Sequence, residues 1–320
     1  MGNLSKEGRK WMERKPWLPA VLALAAIALG QPVRLAGQHL PPAVTQERDH
    51  LLNAQWDPAK LYAMLTSQDA QSREDLYRAA FAAGPAIIPK LQNALKDDRT
   101  ATFAARTLAW FGDAKSMAIL KTLLKDRRNL DLRRFYYGAL GGSTDPRDIE
   151  ILLNQIRTSD HEPDRDVTRD AILALSISSD AALVPKLRQA EKQVTDPVIQ
   201  DDIQTAAMVI GLRAKYMETP AGKRSGNSVR QAIRSYFMPA LQAMPGDSTA
   251  GAQSNGVEVN IRDTTWSPDK MRVLAAVDFE NPEAVASYHV VVQKHPTGWK
   301  VASVWLGEER EKPQKQAPQK

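Results

Sequence analysis

The sequence predicts a mainly α protein: a solenoid of helical hairpins followed by a small α+β domain, one helix on a four-stranded antiparallel sheet. Three observations predict it. Leu91-Gln-Asn-Ala-Leu95-Lys96-Asp97 returns 29 residues later as Leu120-Lys-Thr-Leu-Leu124-Lys125-Asp126. A helix-ending residue recurs at Gly84, Gly112, Gly141, Ser176 and Gly211, at intervals of 28, 29, 35 and 35. Beyond residue 257 the apolar period changes from helical spacing to two. Repetition at such a period marks stacked hairpins, none of which buries its apolar face alone.

The first thirty residues carry Lys6, Arg9, Lys10, Arg14 and Lys15 ahead of an uncharged run from Trp17 to Leu29. A basic segment, a short apolar core and the small residues of Ala28-Leu29-Gly30 predict a secretory signal over residues 1–30. The run is shorter than the ~18–20 residues that span a bilayer. A signal anchor extended through residues 17–33 is the alternative. The expected location is therefore exported, periplasmic or extracellular, or tethered to the membrane.

Residues 31–55, with Pro32, Pro41 and Pro42, read as a linker. Asp57-Pro58 then starts a helix with Trp56, Leu61, Met64 and Leu65 around it, expected to cap the open end of a stack spanning residues 56–216. The first helices of the hairpins carry apolar stripes: Leu76/Ala80/Ala83, Phe103/Thr107/Trp110, Leu132/Phe135/Ala139 and Val167/Ala171/Leu175. The second helices answer with Ile87/Leu91/Leu95, Leu120/Leu124, Ile149/Leu152/Ile156 and Leu183/Leu187/Ala190. Spacings of three and four put each set on one face.

Leu108-Ala-Trp-Phe-Gly112-Asp113, followed by Ala118-Ile-Leu120 and Leu124-Lys-Asp126, resembles the helix-turn-helix of HEAT repeats, especially the short repeats of phycobilisome lyases. The resemblance covers roughly residues 70–215. It implies a superhelical scaffold that binds a protein partner along one face. The acidic stretch Thr158 to Asp166 lacks the glycine turn and ligand order of a calcium loop, and reads as an inter-repeat loop that caps the next helix.

Residues 217–227, with Pro220, Gly222 and Gly226, mark a second linker, and Gly222-Lys223 has neither the upstream glycine nor the strand of a phosphate loop. The α+β domain is expected over 228–306. Its helix runs from Ser228 to Met244, Pro245 to Gly256 is a flexible crossing, and four strands follow. Alternation places Met271, Val273, Ala275, Val277 and Phe279 on one face, with Tyr288, Val290 and Val292, and with Trp299, Val301, Ser303 and Trp305. Leu274, Val291, Val304 and Leu306 make the other face apolar too, so it should pack on the solenoid or a second subunit. The hairpin from Tyr288 through Gly298 to Val304 resembles the last two strands of NTF2-like domains, and a cystatin-like sheet fits equally. Residues 307–320, rich in Lys, Gln and Pro, are expected to be disordered.

The formal charge is +6, but residues 1–16 contribute five basic and two acidic groups and residues 307–320 four and three. The body is nearly balanced, which argues against nucleic acid as a partner. With no cysteine the chain has no disulfide, thiol nucleophile or Cys-ligated zinc. The five histidines are His39, His50, His161, His289 and His295, and His289 reads best as an exposed strand residue. No catalytic, cofactor or metal motif stands out. The candidate partner-binding residues are Lys121, Lys125, Arg127, Arg128, Arg133 and Arg134, suited to an acidic partner; solvated ion pairs explain the same residues. Tyr236, Trp266, Tyr288 and Trp299 are candidates to line a ligand cavity, or to fill a small core. A scaffold is the leading function, with a small-ligand or enzymatic C-terminal domain as the alternatives. A buried carboxylate or histidine inside that cavity would favour the enzyme.

Overall fold

The computed structural model describes residues 40–125, 130–242, 258–280 and 284–311. The predicted signal at 1–30 and the crossing at Pro245 to Gly256 lie outside them. Thirteen α-helices precede the sheet among the described residues. Pro42–Asn53 (α1) and Pro58–Leu65 (α2) open the chain. Four hairpins follow, made of first helices Ala70–Ala83 (α3), Asp98–Phe111 (α5), Arg133–Ala139 (α7) and Arg165–Ser176 (α9). Their second helices are Ile88–Ala94 (α4), Ala114–Leu123 (α6), Pro146–Arg157 (α8) and Leu183–Glu191 (α10). The stack closes with Pro197–Glu218 (α11) and the short Pro220–Lys223 (α12), and Val229–Gln242 (α13) leads to the sheet.

Aspartates start these helices: Asp57, Asp69, Asp97, Asp113, Asp145, Asp164 and Asp196 each accept a hydrogen bond from a backbone N–H of the first turn. Each such cap contributes about 1 kcal/mol. Gly84 and Gly112 end α3 and α5 at φ of +63° and +54°, a backbone that side chains with a Cβ rarely adopt. Between the layers, Leu76, Leu91, Phe103, Leu108, Leu120, Leu152, Ile156, Ala171 and Leu187 form one continuous core.

Three boundaries differ from the sequence reading. Residues 42–53 are the helix α1 and not linker: Pro42 sits in its first turn, where a missing N–H costs nothing, and Val44 and Leu51 are buried against the stack. Residues 217–227 are helical turns, since α11 runs to Glu218, α12 follows and Ser225–Asn227 forms a 3-10 turn. Gly211, expected to end a helix, lies inside α11, where an added Cβ would meet nothing.

The sheet is an antiparallel meander, β1 (Glu258–Trp266), β2 (Arg272–Glu280), β3 (Ala284–His295) and β4 (Gly298–Glu311), in the order β1-β2-β3-β4. Strand β4 continues through residues assigned above to a disordered tail. A register shift between Val291 and Val292 leaves Ala302 unpaired, so Val301 and Trp305 face opposite sides. That bulge corrects the single face expected for Trp299 to Trp305. It also sends Val304 and Leu306 to the α13 side.

One face of the sheet packs on α13 through Val273, Ala275, Val277, Phe279, Val290 and Val292 with Ile233 and Phe237. The other joins the core of the stack through Leu274, Val291 and Trp305. The seat for this face is a row of glycines in the last turns of the first helices or just beyond them. The Pro268 ring covers Gly84, the Arg272 guanidinium covers Gly112, the Trp305 ring covers Gly138, and the backbone of Ala302 covers Gly141. The sheet is thus a third layer built onto the first helices, and α13 is its outer cover.

Candidate partner-binding face

With the first helices roofed by the sheet, the second helices carry the open face of the stack. Each turns its Leu or Ile stripe inward and leaves polar and basic side chains outside: Asn93 on α4, Lys115 and Lys121 on α6, Arg147 and Asn154 on α8, Lys186 and Arg188 on α10 are all exposed. On α8 and α10 the charges are matched, Arg157 with Glu150 at 2.5 Å and Arg188 with Glu191 at 3.2 Å. Helices α4 and α6 hold Lys90, Lys115 and Lys121 and no acidic residue. Lys115 and Lys121 bring exposed positive charge to α6, while Lys90 is half-buried on the carbonyls that end α1.

Of the six basic residues proposed from sequence, Lys121 on α6 and Lys125 just beyond it are exposed on this face. Arg127 and Arg128 lie outside the described residues. Arg133 and Arg134 belong to the first helix α7 and point at the neighbouring repeat. Arg133 pairs with Glu162 at 2.5 Å, and Arg134 with Asp170 at 2.6 Å. The acidic stretch at 158–166 serves these contacts and caps: Glu162 takes Arg133, Asp164 caps α9, and Asp160 accepts from the Thr195 N–H and hydroxyl. No group of acidic residues and histidines suited to a metal occurs among the described residues.

The four aromatics proposed for a cavity separate into two groups. Tyr236 and Tyr288 lie buried between α13 and the sheet, both against Phe237, with ring centroids 4.9 and 6.1 Å from it. The Arg213 guanidinium, itself buried, stacks 4.5 Å over Tyr236 and donates to the Ser176, Ser178 and Tyr236 carbonyls, tying α11 to α13. Trp266 and Trp299 meet edge to face at 5.4 Å, both half-buried.

His289 is the residue that sequence reasoning misplaced. It is 6% exposed, on the face of β3 against the stack, with its Nε2 2.8 Å from Oε2 of Glu74 on α3. Its ring lies 5.0 Å from Trp110 and 5.7 Å from Tyr77. Its Nδ1 and the Trp110 Nε1 have no hydrogen-bond partner among the described residues. Burial opposes ionisation of Glu74, but the His289 hydrogen bond and the charges of His289, Arg262 and Arg78 outweigh it and hold the carboxyl below its usual range. The pair sits between sheet and stack, on the opposite side of the sheet from the predicted cavity. The alternation of β3 allowed this placement, but Glu74 is 215 residues away in the chain and gives no local signal. Beside it Arg78 donates to Thr265 and pairs with Asp263 at 3.4 Å, and Arg272 donates to the Trp110 carbonyl at 2.9 Å.

Residues 85–176 match the family model described as HEAT repeats. The helical stack is a HEAT-repeat solenoid. The matched span runs from the turn before α4 through α9, so it contains the second helices α4, α6 and α8, with Lys115 and Lys121 of α6. No curated protein matches the chain. HEAT repeats as a class point to a protein-interaction scaffold, in which a repetitive surface supplies complementarity to a partner. No helix among the described residues is long and apolar enough to cross a membrane.

Proposed function

We propose that the protein is a non-enzymatic scaffold that holds an acidic protein partner along the second helices of its HEAT-repeat solenoid. The observation that carries this reading is the division of the stack's two faces: the first helices are spent on the sheet, and the second helix α6 offers the exposed Lys115 and Lys121 with no acid within it. Exposed lysines steer a negatively charged partner and set the on-rate, with affinity supplied by a few anchors. The reading includes export through residues 1–30, with the solenoid acting outside the cytoplasm or tethered at the membrane; the basic and apolar pattern of that segment supports it.

Site-specific photo-crosslinking in the native host tests it. A photoreactive residue at Ala118 or Asn154, both exposed on second helices, should give one discrete adduct. Lys115→Glu with Lys121→Glu should abolish that adduct, and it should weaken as salt shortens the electrostatic range. Equal adducts from the exposed Lys270 turn of the sheet, or an adduct indifferent to the charge reversals, would refute the assignment of the face. For export, a reporter fused after residue 30 should leave the cytoplasm, and its retention there would remove that part of the reading.

A further inference from the structure

At the N-terminal end of this face, the loop after α1 joins α2, α4 and the start of α5 around a cleft of about 280 Å³. Its walls are the Trp56 ring, Pro58, Leu61 and Ala94, with Asn93 and Gln55 at the sides. Most of the polar atoms nearby are already committed. The Lys90 ammonium gives its three hydrogens to the carbonyls of Leu51, Leu52 and Ala54 at 2.7, 2.8 and 2.7 Å, where it closes the C-terminal end of α1. The Trp56 N–H donates to the Leu51 carbonyl at 3.0 Å, and the Thr100 hydroxyl to that of Ala94 at 2.8 Å. The Trp56 ring is held from behind by Phe103, at 6.3 Å between centroids. What faces the cleft is therefore a fixed indole and aliphatic surface, flanked by two carboxamides. Asn93 accepts from Lys96 at 3.2 Å, which keeps its N–H₂ end for another acceptor.

Size and chemistry narrow the occupant. The cleft lies just under the roughly 300–1,000 Å³ typical of sites for whole small molecules. One large side chain suits it, with the Asn93 and Gln55 amides available to the adjoining main chain. A chain leaving the cleft along the open face passes Lys96, which lies on Asn93, and Asp97 and Asp98 beyond it, Asp97 being held by Arg99, and then reaches the exposed Lys115 and Lys121 of α6. We propose that this cleft is an anchor site for one aromatic or leucine side chain of a polypeptide whose flanking residues are acidic. The inference rests on the scaffold reading and adds to it the place and chemistry of the anchor.

The full chain would be titrated, by fluorescence anisotropy, with three labelled, acetylated and amidated twelve-residue peptides. One is Glu/Ser-rich with a central Phe, one has Gly in place of that Phe, and one has Lys in place of every Glu. The acidic Phe peptide should bind at least about tenfold tighter than the Gly peptide, the effect of burying one aromatic side chain, and by a similar factor over the Lys peptide, whose charge opposes Lys115 and Lys121. Asn93→Trp, which fills the mouth from an exposed position and leaves Trp56 in place, should erase the Phe-to-Gly difference alone. Lys115→Glu with Lys121→Glu should erase the Glu-to-Lys difference alone. Equal binding of the Phe and Gly peptides with the acidic preference intact overturns the anchor and leaves the scaffold face standing. Loss of both differences, or no binding by any peptide, overturns both.

Discussion

Gly138 lies within α7, where alanine would raise helix stability by about 1 kcal/mol in an isolated helix. A Cβ at that position overlaps the Trp305 ring, whose stacked partner is Phe135 at 5.5 Å. Overpacking of that kind costs roughly 1–3 kcal/mol. Gly138→Ala should therefore lower stability by about 1–2 kcal/mol, measured by chemical denaturation. In a Trp305→Ala background the same change should turn neutral or stabilising. Loss of the sign reversal would show that Gly138 is required by its own backbone and not by the sheet.

The Glu74–His289 pair makes a pH prediction at the same scale. Glu74 is held below its ordinary value of 4.5 in the folded protein, so the stability it contributes is present above about that pH and is lost as pH falls through the lower folded value. Groups facing it are His289 on β3, Arg262 on β1 and Arg78 on α3. Glu74→Gln should cost about 1–3 kcal/mol near neutrality, and the gap from wild type should hold down to the ordinary carboxylate range and then narrow. A gap that stays constant to pH 3 would mean that the charge of Glu74 contributes nothing. Sequence reading could not find this pair, because a histidine in an alternating strand is equally compatible with solvent and with a buried partner.

Among the elements, α1 separates two readings of the N-terminal region. Its apolar pattern is sparse, and Pro41-Pro42 reads as a breaker until the second proline is seen in the first turn. Once folded, it buries Val44 and Leu51 and gives Lys90 its three carbonyl acceptors. Deleting residues 1–54 should lower the midpoint of thermal unfolding by several degrees, since each buried aliphatic is worth about 1.5–3 kcal/mol. An unchanged midpoint would return these residues to the status of a linker. The bulge at Ala302 teaches a related lesson: one unpaired residue exchanges the two faces of β4, and strict alternation cannot foresee it.

For the molecule as a whole, the sheet and the stack share one core. An aromatic series runs from Trp56 through Phe103, Tyr77 and Trp110 to His289, with successive centroids 6.3, 5.4, 5.3 and 5.0 Å apart. It crosses from the end cap through two first helices into β3. Unfolding should accordingly be one transition, with tryptophan fluorescence and helical circular dichroism tracing the same curve. A chain ended at Thr219 should be much less stable than the full chain, because its glycine row and first helices lose their roof. Two resolved transitions would instead describe an independent C-terminal domain.

The sequence by itself determined the repeat, the helical hairpins, the Asp57 start of α2, the capping stretch before α9 and the four strands, because helix and strand periodicity and capping are local properties of neighbouring residues. Gly84 and Gly112 were legible as helix ends for the same reason. Only the tertiary structure decided that those glycines also seat the sheet, that His289 is buried on Glu74, and that Arg133 and Arg134 are drawn into inter-repeat pairs while Lys121 stays on the open face. Each of those outcomes depends on which of two similarly apolar or similarly charged faces meets a partner far away in the chain. Periodicity defines the faces of an element and leaves their partners to packing.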